Sequence, residues 1–548
     1  MLRMLVLVVV IVSAFALRLP MAADSMVPLF SDSMAECTDR PLELVGTMPS
    51  WLDGTLIRNG PACFGTSERE YCHLFDGLSK LTSYRIRGGR ASFTAQFLKS
   101  EWWKSMVKND KLPPSVTTGP VNPPFSFLER IRSVLSSGAF DNVPVNIHQL
   151  GGAGGPWVAT TDAPVMVQFN PGDLSTVGRL AFKDSISSAG GVELFSTAHP
   201  KTASDGSTLN YFLELRPGRE NVAKIVRTDA SLKRVVLGQV GVGPIGIPYV
   251  HDISITDKYA VLAIWPIRID PLKLFSGTGF LSNLEWAPKE QPDTRIYVFD
   301  LLKPGSDGSL PAGPVASFTA PPLFAYHHIN SWEEADGGIT FDVSGYSTPG
   351  IVNGEHAFAY LANVRDKEKR RLQERDAAFY RFNIPGEVLR RGSGHIEPLK
   401  LFSSSEVAGE PEETTAELVT INPAFARRKS RYSYGFTGFA GKGADRGGFE
   451  EWAIVKLDHD AAAASASAST STALLWKAPH CFPSEPIMVP SGEGGEDAED
   501  DGVVLSQCYD AARDESFLLV LDAKDMTELA RAYLGMVCPS SFHGRWMA

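Results

Sequence analysis

Cysteine is scarce in this chain: six residues (37, 63, 72, 481, 508 and 538) in 548, and no C-x-x-C pair. That excludes a disulfide-built scaffold, a zinc ribbon and a dithiol redox site, although an even count leaves isolated bridges allowed. Basic charge is also short, with 52 Lys and Arg against 63 Asp and Glu for a net charge of −11. A nucleic-acid binder needs a basic face, so that class is set aside. No zinc-finger spacing and no phosphate-binding glycine loop occurs. Long apolar runs are missing except over residues 5–17, which is too short for a bilayer span of about 20 residues. Preceded by Met1-Leu2-Arg3-Met4 and carrying Ala14-Phe15-Ala16 as a small-x-small cleavage site, it reads as a targeting segment (1–23) for entry into the secretory pathway, to the ER lumen or the outside. Ser13-Ala14-Phe15 also resembles the junction of presequences that reach a plastid through the ER. A bare membrane anchor is the weaker reading.

Helical periodicity is scarce too. What fills the chain from about residue 40 is short β-branched and aromatic runs between Gly, Pro, Asp and Asn: LTSYRIRGGRASFTAQFL (81–98), PWVATTDAPVMVQFNP (156–171), KYAVLAIWPI (258–267), TRIYVFDLL (294–302). Alternation of this kind predicts antiparallel sheet. So many short strands exceed a sandwich and predict an all-β chain with radial repetition, a β-propeller, although no clean repeat period is visible. Residues 38–548 read as a single domain.

SFLERIRSVLSS (126–137) places Phe127, Ile131, Val134 and Leu135 on one helical face, either as a core-facing cap or as a membrane-touching amphipathic helix. VRDKEKRRLQERD (364–376) reads as a solvated helix or loop. DAAAASASASTSTA (460–473) and EGGEDAEDD (493–501) read as mobile low-complexity loops.

Of the eleven histidines, four stand in similar company: His199 in FSTAHPK, His251 in YVHDISIT, His327 in FAYHHINSWEE and His543 in SSFHGRW. Each follows an apolar stretch at the edge of a turn. In a propeller, inner strand ends of successive blades meet at the axis, so residues this far apart in sequence can converge. Four neutral imidazoles suit zinc, copper or iron, and octahedral iron(II) would keep two positions open. Carboxylates that accept the imidazole N–H protons are then expected, and Glu417 in TAELVTIN and Glu485 in FPSEPIMVP fit, with exposed strand-end glutamates as the alternative.

The blocks WLDGTLIRNGP (51–61), HLFDGLSKL (73–81), DNVPVNIH (141–148), TAHPK (197–201), HDISIT (251–256), HHIN-x-WE (327–333), SEPIMVP (484–490), EDDGVVLS (499–506) and FHGRW (542–546) stand in the order of a known family. Singly each is weak; nine in register are specific. The chain resembles the carotenoid cleavage oxygenases, which include carotene-splitting dioxygenases, the retinoid isomerohydrolase and stilbene-cleaving enzymes. The resemblance implies a seven-bladed propeller under a helical dome, with one iron(II) per chain held by His199, His251, His327 and His543. His327, rather than His328, matches the family's H-x-x-N spacing. Glu417 and Glu485 then pair with His327 and His543. The third carboxylate falls on Asp162, where the family usually has glutamate; a side chain shorter by roughly 1.5 Å makes a lengthened, bridged or missing contact to His251 the expectation.

The implied reaction is dioxygen-dependent cleavage of a conjugated double bond in an apolar polyene. Stilbene cleavage, isomerohydrolase chemistry or non-catalytic polyene carriage are the alternatives. Phe75, Trp102, Trp103, Tyr326, Trp332 and Phe542 are candidate tunnel residues. A polyene drawn from lipid implies an apolar patch at the tunnel mouth, with Phe125, Phe127 and Leu128 as its candidates.

Overall fold

In the computed structural model, residues 26–548 are described except for 136–139, 244–245, 271–272, 274–275, 288–291, 303–311, 371, 373–376, 403–414, 440–450, 465–472 and 493–497. Residues 1–23, expected to be a targeting segment, therefore lie outside the described residues. Strand dominates, and the alternation seen in sequence is the cause. In the hairpin Ser79–Arg87 to Arg90–Phe97, Arg87 pairs with Arg90 across Gly88 and Gly89. Both glycines have positive φ (53° and 72°), as a two-residue turn that follows the strand twist requires.

Among the described residues, seven sheets of four to six strands follow one another along the chain. The first is built from strands within 37–97, the second within 146–179, the third within 192–241 and the fourth within 254–320. The fifth lies within 324–402, the sixth within 415–476 and the seventh within 481–533. Pairing is antiparallel throughout these sheets, except where Ser393–His395 joins the fourth in parallel. The two ends of the chain are exchanged between the first and last sheets. Glu43–Gly46 pairs with Glu528–Tyr533 of the seventh, and the terminal strand His543–Met547 pairs with Gly54–Pro61 of the first. The tail is thus a sheet strand with its backbone bonds made.

The largest core cluster runs from Leu209 to Ile396, so it is shared by the third, fourth and fifth sheets. Side chains such as Trp265, Leu262, Phe341 and Phe382 are essentially inaccessible there, each stabilising the fold by roughly 1.5–3 kcal/mol for full burial.

Helix is confined to short pieces. The longest described, Phe127–Leu135, starts with a capping box: Glu129 N–H donates to Ser126 Oγ (3.3 Å) and Ser126 N–H to Glu129 Oε2 (2.7 Å). Phe127 and Leu128 on it are 62% and 67% exposed. Phe125 departs from expectation. It is buried, with the Arg69 guanidinium 4.7 Å from its ring centre. No helix among the described residues is long and apolar enough to cross a membrane.

Three further expectations are modified. The charged run contains the helix Lys367–Arg370, but Arg370 turns inward and donates to the Val364 carbonyl at 2.7 Å. The alanine-rich stretch begins as the helix His459–Ala464, with 465–472 outside the described residues. In the acidic stretch Glu499 is buried, because its carboxylate accepts the Arg431 and Tyr432 amides. All six cysteines are free thiols.

Candidate metal centre

The four histidines come together. One ligating nitrogen from each of His199, His251, His327 and His543 lies within 4.8 Å of the other three. They arrive from different places. His199 follows the strand Val192–Ser196, His251 precedes Ser254–Ile255, His327 sits at a bulge in Phe324–Glu333, and His543 begins the terminal strand. Residues one apart in a strand face opposite ways. His328 accordingly turns from the cluster, meets Ser254 Oγ at 2.6 Å and stacks on Phe341, which leaves His327 as the member of the set.

Three imidazoles are oriented by carboxylates. His327 Nδ1 meets Glu417 Oε2 at 2.6 Å, His543 Nδ1 meets Glu485 Oε1 at 2.7 Å, and His251 Nδ1 meets Asp162 Oδ2 at 2.8 Å. An Nδ1–H given to a carboxylate fixes the tautomer and leaves Nε2 as a free lone pair facing inward. His327 Nε2 is buried without any hydrogen-bond partner. His199 Nε2 is 3.1 Å from His251 Nε2, a spacing natural to two ligands of one ion.

The carboxylates are themselves held. Glu417 also accepts the Tyr346 hydroxyl at 2.7 Å and the Leu418 amide at 3.1 Å, and Glu485 accepts the Gly544 amide at 2.9 Å. Asp162 corrects the expectation of a long or absent contact. The short side chain reaches His251 directly, while the Asp162 carbonyl accepts Ser196 N–H (2.8 Å) and its Oδ1 accepts Ala198 N–H (3.2 Å). These bonds pin the turn to the segment that carries His199. Tyr249 donates its hydroxyl to the same Oδ2 at 2.9 Å.

Among the described residues no carboxylate meets His199; its Nδ1 lies 3.4 Å from the Asn146 amide. Burial, then the neighbouring imidazoles, hold the His199 pKa well below the usual histidine range, and burial outweighs Glu485 to lower that of His543. At His327 burial opposes the charge, but Glu417 prevails and raises it; the same pairing keeps Glu417 below the ordinary carboxylate range despite its burial.

The donor set is what a borderline divalent metal such as iron takes. Neutral imidazoles present their lone pairs, carboxylates behind them answer the ion's charge, and an orphaned buried nitrogen faces the gap.

Aromatic rings cover it. Tyr326 stands edge-on to His251 (5.1 Å between centroids), and Phe75 packs against Phe542 at 5.0 Å and Tyr326 at 6.5 Å. The three tryptophans expected here lie in other surroundings. Trp102 donates to Tyr71 at 2.8 Å and packs on Phe140; Trp103 packs beside the same cluster; Trp332 donates to Glu334, with Arg381 5.0 Å from its ring centre. Tyr249, Tyr346, Asn146 and Arg58 were missed. Tyr249 stands only two residues before His251, in the same stretch between two strands, and its hydroxyl lies 3.4 Å from His251 Nδ1. Arg58 was signalled, as a charge inside the apolar strand GTLIRNGP.

Known proteins share this chain's length and fold. A family model described as retinal pigment epithelial membrane protein matches residues 30–548. Human beta,beta-carotene 15,15'-dioxygenase is 27% identical, covering 92% of this chain and 91% of that protein. The chloroplastic carotenoid cleavage dioxygenase 8 homolog B of Oryza sativa subsp. japonica is 30% identical, with coverage of 92% and 82%. Among solved structures, a variant of the Synechocystis apocarotenoid oxygenase superposes with a TM-score of 0.74 at 22% identity, covering 95% of this chain and 98% of that one. A cobalt-substituted form of that enzyme gives 0.73 at 22% identity over the same shares of the two chains.

Proposed function

The chain belongs to the carotenoid oxygenase family, that of the retinal pigment epithelial membrane protein, and is a carotenoid cleavage dioxygenase, and from that premise we propose the following chemistry for it. The four histidines hold one iron(II), and the enzyme splits a conjugated double bond of a carotenoid or apocarotenoid with dioxygen into two carbonyl fragments. The observation that carries this is the convergence of His199, His251, His327 and His543, three of them backed by carboxylates. Bound iron(II) would supply the redox centre through which dioxygen reacts with a closed-shell polyene.

The protein's own share is placement. Asp162, Glu417 and Glu485 fix three imidazole tautomers and rings. The rings of Phe75, Tyr326 and Phe542 offer apolar walls that exclude water and hold a planar polyene. No side chain has to shuttle a proton, in keeping with imidazoles whose Nδ1 protons are already committed.

The seven sheets are the seven blades of one propeller domain spanning residues 38–548, and each places a residue at this centre: the tail strand joined to the first carries His543, and Asp162, His199, His251, His327, Glu417 and Glu485 follow on or beside the others in chain order. The exposed Phe127 and Leu128 are the lipid contact through which an apolar substrate enters.

The test is product analysis under labelled dioxygen with a carotenoid panel. Two carbonyl fragments with label incorporated at early times are expected. Turnover of polyene without incorporation would exclude oxygenase chemistry.

A further inference from the structure

Arg58 is among the most completely buried side chains in the molecule, at 0% exposure. Its guanidinium donates from Nε to Ser541 Oγ (2.6 Å), from Nη1 to the Glu485 carbonyl (3.0 Å) and from Nη2 to the Phe542 carbonyl (3.2 Å). Nη1 also lies 3.6 Å from Glu485 Oε2. Every one of these partners is on one of two segments: the tail that presents His543, and the turn that presents the carboxylate accepting its Nδ1 proton. The register agrees, with Arg58 opposite Gly544 and Asn59 opposite His543. A Cβ on Gly544 would come within 2.8 Å of Arg58 Cγ, so the glycine of FHG makes room for the arginine stem. Asn59 continues the tie. Its carbonyl accepts Phe542 N–H at 3.0 Å, and its amide donates to Val143 and Asn146 carbonyls, Asn146 being the residue against His199.

We propose that Arg58 is the positioning residue for His543: its fork locks the tail and the Glu485 turn into one relative placement, and metal retention depends on that lock. This rests on reading His543 as a metal ligand. A buried guanidinium left without acceptors is costly, and its planar donors satisfy three acceptors in only one arrangement. Lysine keeps the charge but lacks the fork.

The experiment compares wild type, Arg58→Lys, Ser541→Ala and His543→Ala. Cobalt(II) affinity is read by chelator competition, together with the electronic spectrum of the bound cobalt and amide exchange across residues 541–546 in metal-free protein. Arg58→Lys is expected to bind cobalt about 10–100-fold more weakly, the range for losing a group that orients a ligand. It should also shift the spectrum and exchange the tail amides faster. Ser541→Ala, which removes one acceptor and little else, should move all three readouts the same way by less, and it carries the test should Arg58→Lys not fold. Wild-type affinity, spectrum and exchange in the arginine and serine variants, with cobalt lost in His543→Ala, would overturn the role of Arg58. Wild-type affinity in His543→Ala would instead overturn the metal reading beneath it.

Discussion

Three imidazoles hand their Nδ1 protons to Asp162, Glu417 and Glu485, and the metal-facing geometry hangs on those bonds. Replacing Glu417 by Gln, or Asp162 by Ala, is therefore expected to weaken metal binding about 10–100-fold with the fold retained, as chelator competition beside far-UV circular dichroism would show. Unchanged affinity would mean that the imidazoles orient themselves. The histidines were legible in sequence because each stands at a strand edge inside a recognisable block. The reach of Asp162 was not, since it depends on where backbone bonds to Ser196 and Ala198 hold its turn, which side-chain length does not encode.

At the scale of elements, the short turn Leu74–Asp76 docks the segment Thr117–Gly119 through Asp76, which accepts the Thr118 and Gly119 amides at 2.7 and 3.0 Å. Burial pushes the Asp76 carboxyl up to about 6, against backbone bonds that pull it down. A carboxyl raised on folding favours the native state while protonated. Its contribution is fully present only below the unfolded pKa, near 3.8, and is lost as the pH rises from there through 6. The stability of wild type relative to Asp76→Asn should hence fall by about 2 kcal/mol between pH 4 and pH 7, measured by denaturant unfolding of both; a rise would contradict the assignment. For the helix Phe127–Leu135, Phe127→Ser with Leu128→Ser should reduce partitioning onto phospholipid vesicles at least tenfold, given about 1.5–3 kcal/mol per buried apolar side chain. Strands were readable from alternation, and the helix from its periodicity and Ser126–Glu129 box. The inward turn of Phe125 was hidden, because it depends on Arg69 lying over the ring, a partner 56 positions away.

Across the whole molecule the chain makes sheet after sheet and then ties its ends across the first and last of them. That tie explains how His543 is held at the histidine cluster: it opens a strand whose partners are Asn59 and its neighbours. The repetition left no period in the sequence, because loops of unequal length separate sheets whose side chains need only alternate. The exchange of Glu43–Gly46 into the seventh sheet is a pairing nearly 490 positions apart that no local pattern reports. Because the proposed iron site exists only where three sheets and the tail strand have come together, removal of its metal by a chelator should lower the melting temperature by a few degrees and its return restore it. The most direct test of the centre itself is iron content per purified chain in wild type and in the four single alanine variants of His199, His251, His327 and His543. One iron in wild type and well under one in each variant is the predicted result; a full complement in all four variants would contradict it.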